Sequence, residues 1–300
     1  MSLSPAASVI QGAYTALVTP FQTGGDKVDE VALTALIEAQ IAGGITGIVP
    51  VGTTGESPTL DYDEHLRVIE LSVQVAKGRC QVVAGTGSNS TKEAVYLSRE
   101  AERLGADSLL LVAPYYNKPT QEGLYQHFLK IAGAVSIPII LYSIPGRCGI
   151  EIAVETVARL AAAAPNIVAI KEAGGSVDRV TQLRQALPAS FAILSGDDGL
   201  TLPFLSVGAV GVISVASNVV PKEVADLVSL FASGKTAEAE ALHRRLTPLF
   251  RDLFVETNPV PTKFALARRG AMTEEVRLPL VPLSAAGREK VGKTLDALGL

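Results

Sequence analysis

Eight short apolar runs punctuate the first three quarters of the chain, at residues 13–18, 45–51, 81–86, 108–113, 137–142, 167–171, 191–195 and 209–215. Each is apolar on both of its alternating faces, so the strand it forms needs cover on two sides. That is the pattern of a buried parallel sheet. Helical periodicity fills the gaps. Residues 29–40 carry Leu33, Leu36 and Ile37 on one face. Residues 64–77 carry Leu66, Ile69, Val73 and Ala76, with Gly78 expected as the C-cap. Ser90-Thr91-Lys92-Glu93 reads as a capping box opening a helix that Gly105 closes. Thr120 and Ser176 are expected to cap two more helices, and shorter patterns lie at 154–163, 199–207 and 222–231. Eight strand–helix units predict an α/β chain folded as a (β/α)8 TIM barrel. A doubly wound open sheet is the alternative, but no Gly-rich phosphate turn follows the first strand. After Gly234 only helical patterns remain, at 237–254 with a kink expected at Pro248, 262–269 and 284–298. The expected division is therefore a barrel over 1–233 and a small C-terminal helical domain over 234–300.

Composition narrows the function. A net charge of −4 with no basic run argues against nucleic acid as a partner. Cys80 and Cys148 are the only cysteines, and His65, His127 and His243 are scattered. Neither a disulfide framework nor a metal site is expected, and no cofactor is called for. Residues 1–10 lack a basic segment followed by a long apolar stretch, so no signal peptide and a cytoplasmic location are expected. Residues 199–221 carry no charge, but Pro203, Gly208, Gly211, Ser214, Ser217 and Asn218 interrupt them. They read as a short helix and a buried strand, not a membrane span.

Barrel active sites lie at the carboxyl ends of the strands. Here those ends read Thr19-Pro20, Gly52-Thr53-Thr54-Gly55-Glu56, Gly85-Thr86-Gly87, Pro114-Tyr115-Tyr116-Asn117, Tyr142 with Arg147 beyond it, Lys171, Ser195-Gly196-Asp197-Asp198 and Ser214. Lys171 closes an apolar strand. Burial of its stem disfavours the charged form, and a neutral amine can attack a ketone to form a Schiff base, an electron sink for carbon–carbon chemistry. The turn at 52–55 can offer N–H groups and hydroxyls to a carboxylate. Tyr142, one strand away, can shuttle protons beside the amine. Arg147 offers a fork for a second carboxylate.

These stretches, with Gln121-Glu122-Gly123-Leu124-Tyr125, Gly211-Val212-Ile213-Ser214 and Glu256-Thr257-Asn258-Pro259-Val260-Pro261, resemble the dihydrodipicolinate synthase (4-hydroxy-tetrahydrodipicolinate synthase) family of pyruvate-dependent class I aldolases. The resemblance implies condensation of pyruvate with L-aspartate 4-semialdehyde on the route to diaminopimelate and lysine. Lys171 would carry the Schiff base, with the Thr53 and Thr54 turn holding the pyruvate carboxylate. Tyr142, Thr54 and Tyr116 would relay protons, Tyr116 coming from the neighbouring subunit of a tight dimer. Arg147 would bind the carboxylate of the semialdehyde, and Gly196 and Ile213 would line the pocket through their backbones. Relatives are commonly tetramers built as dimers of dimers. The chain departs from the family pattern at Ser143, Gly146 and Cys148 but keeps Arg147. Cys148 is either a small space-filling residue or a thiol activated by Arg147.

The alternatives are a related aldolase or lyase acting on a sugar acid, such as N-acetylneuraminate or a keto-deoxy sugar acid, and a barrel that binds a keto acid without turnover. Arg147 favours a substrate with a second carboxylate over a sugar acid. Ser57, Pro58, Tyr62, His65, Asn89, Glu93 and Tyr115 match the lysine-binding cleft of regulated relatives. L-Lysine is therefore expected as a feedback inhibitor at a second site away from the pocket, with Glu93 pairing its ammonium.

Overall fold

The computed structural model describes residues 10–300, so the expectation drawn from the first nine residues lies outside it. Eight strands form: β1 (Gly12–Ala16), β2 (Gly47–Val49), β3 (Gln81–Gly85), β4 (Ser108–Val112), β5 (Ile139–Ser143), β6 (Ile167–Glu172), β7 (Ala192–Ser195) and β8 (Gly211–Ser214). They pair in parallel in sequence order, and β1 pairs with β8 to close a barrel. Every predicted apolar run overlaps one strand, although β1, β5 and β6 each extend one residue past theirs. Inward side chains, among them Tyr14, Val49, Val83, Leu110, Ile140, Ala169, Leu194 and Ile213, fill the lumen as a packed core. Outward ones join the larger core beneath the helices.

The helices are α1 (Glu30–Ala42), α2 (Tyr62–Ala76), α3 (Thr91–Arg103), α4 (Gln121–Ala132), α5 (Pro145–Cys148), α6 (Val154–Ala163), α7 (Val177–Ala186), α8 (Thr201–Ser206), α9 (Pro221–Ala232), α10 (Thr236–Asp252), α11 (Val260–Arg268) and α12 (Ala285–Leu298). The uncharged segment resolves into α8 and β8, and among the described residues no helix is long and apolar enough to cross a membrane. Thr120 and Ser176 accept from Gly123 N–H and Arg179 N–H, as helix caps do.

The caps of α2 and α3 differ from expectation. The full capping box is Asp61 with Glu64, whose two arms measure 2.8 and 3.4 Å, so α2 begins earlier than its apolar pattern. Lys77 (φ 46°), not Gly78, takes the left-handed cap position. At α3, Ser90 Oγ accepts from Glu93 N–H at 3.5 Å, but the Glu93 carboxylate accepts from Ser88 Oγ at 2.8 Å. Ser88 Oγ in turn accepts from Ser90 N–H at 3.1 Å, so the return arm passes through a third residue. Helix α11 starts at Val260 rather than after both prolines, because a helix tolerates proline in its first turn.

Two histidines sit in the core beneath this rim. His65 on α2 places Nε2 2.9 Å from the Gly85 carbonyl, and His127 on α4 places Nδ1 2.9 Å from Thr91 Oγ1. Burial lowers both from the usual 6.5 to about 4. Between these values the unfolded chain binds protons that the folded chain refuses. Stability is therefore full above pH 6.5 and falls as pH drops toward 4, by about 3 kcal/mol per ring. His127→Asn keeps a donor toward Thr91 without an imidazole. Urea unfolding across that window is expected to show a pH slope smaller by roughly 1.4 kcal/mol per pH unit than in the parent chain. Equal slopes would mean that His127 is not titrating.

Candidate active site

β5 and β6 lie side by side with Tyr142 opposite Lys171. Strand alternation turns both side chains into the barrel, where Lys171 Nζ stands 4.2 Å from the centre of the Tyr142 ring. Gly196, just past β7, closes in from the other side. A Cβ there would lie 3.0 Å from Lys171 Cε and 2.6 Å from Ala173 Cβ, so glycine is what lets the lysine stem pass. Ile213 on β8 sits opposite Tyr14, and its buried side chain belongs to the lumen packing. Only its backbone is left to serve a ligand.

Burial lowers Lys171 to about 7; the Asp198 carboxylate holds it up, and the Arg147 charge pushes it further down. Near neutral pH a large share of the amine is therefore free to act as a nucleophile. Asp198 is itself fixed, its Oδ2 accepting from Val215 N–H at 3.0 Å and Ala216 N–H at 2.9 Å. Burial pushes the Tyr142 phenol up, while Arg147 and the Thr53 side chain oppose that shift. Tyr142 thus stays protonated beside the amine, poised to donate.

The turn after β2 is braced on three sides. Thr19 Oγ1 donates to the Gly55 carbonyl at 2.7 Å. Glu56 adopts φ 56°, a left-handed conformation that a non-glycine residue holds only when its surroundings enforce it. Its buried carboxylate pairs with the Lys263 ammonium and accepts from Arg277 N–H at 3.1 Å. Thr54 is buried, and its Oγ1 accepts from Asn258 Nδ2 at 2.9 Å. Arg147 stands on the single turn α5, exposed, with Nη2 donating to the Asn258 carbonyl at 3.3 Å.

A cavity of about 210 Å³ opens at this rim, lined by Thr53, Ser57, Tyr115, Tyr142, Arg147 and Cys148 among others. That lies below the ~300 Å³ lower end of sites for drug-sized ligands and suits a small acid. Lys171 is not among the lining residues but stands against the ring of Tyr142, which is. Cys148 Sγ donates to the Ala113 carbonyl at 3.2 Å, and burial raises the thiol to about 11 despite Arg147. Of the two readings of Cys148, the space-filling one stands.

The residues matched to a lysine cleft touch one another in part: the Glu93 carboxylate pushes the Tyr62 phenol up and opposes the lowering of His65. Ser57, Pro58 and Tyr115 line the same cavity as Thr53 and Arg147. Asn89 Nδ2 donates to the Tyr115 carbonyl at 3.2 Å. Tyr62 is half exposed, its ring centre 5.7 Å from that of Tyr96. His65 faces inward and reaches the cavity only through the Gly85 carbonyl, since Gly85 is part of the wall. Tyr116 is 90% exposed at φ 74°. Sequence reasoning placed Glu56, Asp198 and Asn258 inside motifs without giving them a role, and it passed over Lys263. Asn258 reaches Thr54 and Lys263 reaches Glu56 across more than two hundred residues, by contacts that no local pattern encodes. Among the described residues, no group of three or more His, Cys, Asp or Glu side chains is placed to hold a metal ion.

Comparison with known proteins agrees with this geometry. Residues 9–298 match the Dihydrodipicolinate synthetase family. A 4-hydroxy-tetrahydrodipicolinate synthase from Pelobacter propionicus is 51% identical over 292 residues, covering 97% of this chain and 100% of the relative. The structure of the 4-hydroxy-tetrahydrodipicolinate synthase from Methylacidiphilum fumariolicum SolV superposes with a TM-score of 0.95 at 58% identity, covering 97% of this chain and 96% of that one. A Cyanidioschyzon merolae relative crystallised with lysine bound gives a TM-score of 0.94 at 42% identity, covering 97% of this chain and 98% of that one. Matched along almost all of its length in both sequence and structure, the chain belongs to the dihydrodipicolinate synthetase family.

Proposed function

We propose that this chain acts as a 4-hydroxy-tetrahydrodipicolinate synthase, condensing pyruvate with L-aspartate 4-semialdehyde in the route to diaminopimelate and lysine. The observation that carries the reading is the buried amine of Lys171 against the Tyr142 ring, with a depressed pKa at a rim that also offers Arg147. The neutral amine adds to the pyruvate ketone, and loss of water leaves a Schiff base that draws electrons from the neighbouring methyl carbon. That carbon, once deprotonated, attacks the aldehyde. Thr53 and Thr54 hold the pyruvate carboxylate, Tyr142 and Thr54 pass protons, and Gly196 and Ile213 serve through their backbones. Arg147 takes the carboxylate of the semialdehyde, a role that a sugar-acid substrate would leave unused.

Tyr116 completes the relay from a second copy of the chain. Its 90% exposure and positive φ suit a side chain held out for a neighbour. The assembly proposed is a tetramer of two such dimers, in the cytoplasm. Its subunits are divided into a barrel over 1–233 and a helical domain over 234–300. L-Lysine is proposed as feedback inhibitor, held by Ser57, Pro58, Tyr62, His65, Asn89, Glu93 and Tyr115. Two facts support this: the lysine in the Cyanidioschyzon merolae relative, and the cavity wall shared by Ser57 and Tyr115 with Thr53.

Borohydride added with pyruvate is expected to fix one reduced pyruvate per chain on Lys171. Trapping should speed up as pH rises through about 7, because only the neutral amine attacks. An adduct mapped by mass spectrometry to another lysine, or full activity in Lys171→Ala, would sink the assignment.

Arg147→Ala is expected to lose about 2–4 kcal/mol of transition-state binding, roughly 30- to 800-fold in kcat/KM for the semialdehyde. Pyruvate trapping should change far less. Equal losses for both substrates would count against a selective carboxylate contact.

L-Lysine titrated into the assay is expected to give partial inhibition, with a coupling of about 1–3 kcal/mol. Glu93→Ala should remove that inhibition. Undiminished turnover of the parent enzyme at millimolar lysine, with no heat of binding by calorimetry, would disprove feedback control.

A further inference from the structure

Asn258 stands just before α11, in the tail that follows the barrel, yet it touches two of the groups assigned to substrate. Its Nδ2 donates to Thr54 Oγ1 at 2.9 Å, and its carbonyl accepts from Arg147 Nη2 at 3.3 Å. Its Oδ1 accepts from Thr262 Oγ1 at 3.5 Å, so the amide is held with its nitrogen toward Thr54. The residue is buried, and Lys263 on the same helix pairs with Glu56, two residues beyond Thr54. The start of α11 is thus pinned to both ends of one short turn.

A hydroxyl has one proton and two lone pairs. When Thr54 Oγ1 accepts from an amide nitrogen that can only donate, its own proton must point elsewhere. We propose that Asn258 is a positioning residue for the condensation, fixing the direction in which the Thr54 hydroxyl donates. The inference rests on the activity proposed above. It makes the C-terminal helices part of the catalytic machinery, because the proton relay is oriented from outside the barrel.

Asn258→Asp tests this with almost no change of shape. Above the carboxyl pKa the new side chain only accepts, so the Thr54 proton turns toward it and away from the relay. The expected result at pH 8 is a fall in kcat of about tenfold or more, within the range of a lost proton-transfer group, with a much smaller change in the KM for pyruvate. As pH is lowered the carboxyl protonates and can donate again, so the ratio of variant to parent kcat should climb toward acid. A merely structural role would give a ratio that stays flat with pH, and that result overturns the proposal. If the aspartate variant does not fold, a double-mutant cycle serves instead. Asn258→Ala should cost far less in a Thr54→Val background than in the parent, and additive losses overturn the proposal equally. Turnover of the parent enzyme with pyruvate and the semialdehyde is measured first. Its absence would end the functional reading itself, whereas a flat ratio with an active parent ends only the role of Asn258.

Discussion

Closure of the sheet between β1 and β8 is the constraint on which the site depends. Gly12 faces Gly211 across that seam, and Gly12 N–H donates to the Val210 carbonyl at 3.0 Å. A Cβ on Gly211 would lie 2.0 Å from the Gly12 carbonyl oxygen, so a side chain there would force the last strand off the first. Once closed, a parallel barrel has all its carboxyl ends on one rim. Thr53 and Thr54 after β2, Tyr142 on β5, Lys171 on β6 and Gly196 after β7 are then neighbours by topology. The chemistry of each depends on that meeting. Lys171 is buried because Tyr142 and Gly196 crowd its stem, and the phenol stays protonated because the same crowding denies it water.

The turn after β2 would not hold its shape alone. Glu56 sits in a left-handed conformation, and a buried carboxylate without a partner costs several kcal/mol. Lys263 and the backbone of Arg277 supply that partner, both from the C-terminal helical region. Phe21 is caught between the same two cations, 4.1 Å from Lys263 Nζ and 4.2 Å from the Arg277 guanidinium. Arg277 also grips Glu64 at the start of α2. The tail is therefore built into the barrel rim by buried charge, and the carboxylate-holding turn inherits its rigidity from there.

Much of this was legible in the sequence. All eight strands could be read because a strand covered on both faces is written as an uninterrupted apolar run, and the polar residues that end those runs are the rim. Lys171, Tyr142 and the Gly52-Thr53-Thr54-Gly55 turn were placed for that reason. Contacts without periodicity were illegible. Arg147 could be found, but α5 is a single turn with no repeat to betray it. Ser90 and Glu93 have the spacing of a capping box, yet Ser88 intercepts the carboxylate, an outcome decided by the loop's path. The sequence match places His65 in a lysine cleft, but nothing in it shows that the ring packs inward onto β3. The hydrogen bond from Asn258 to Thr54 spans 204 positions, and nothing near either residue points to the other.

The rim buries three cations and treats them differently, and that difference separates scaffold from chemistry. Arg179 lies 2.8 Å from the Glu172 carboxylate, and Lys263 meets Glu56. Among the described residues no ion pair includes Lys171; Asp198 holds it up only at a distance. Both amines are buried, and burial lowers Lys263 to about 8 and Lys171 to about 7. The Glu56 carboxylate holds Lys263 up, so Lys263 remains mostly charged at neutral pH and braces the turn. Lys171, without one, sheds its proton where a nucleophile is wanted. A second carboxylate within ion-pair reach of Lys171 would stabilise the rim and abolish the reactive amine, so what distinguishes the two lysines is the withholding of a partner.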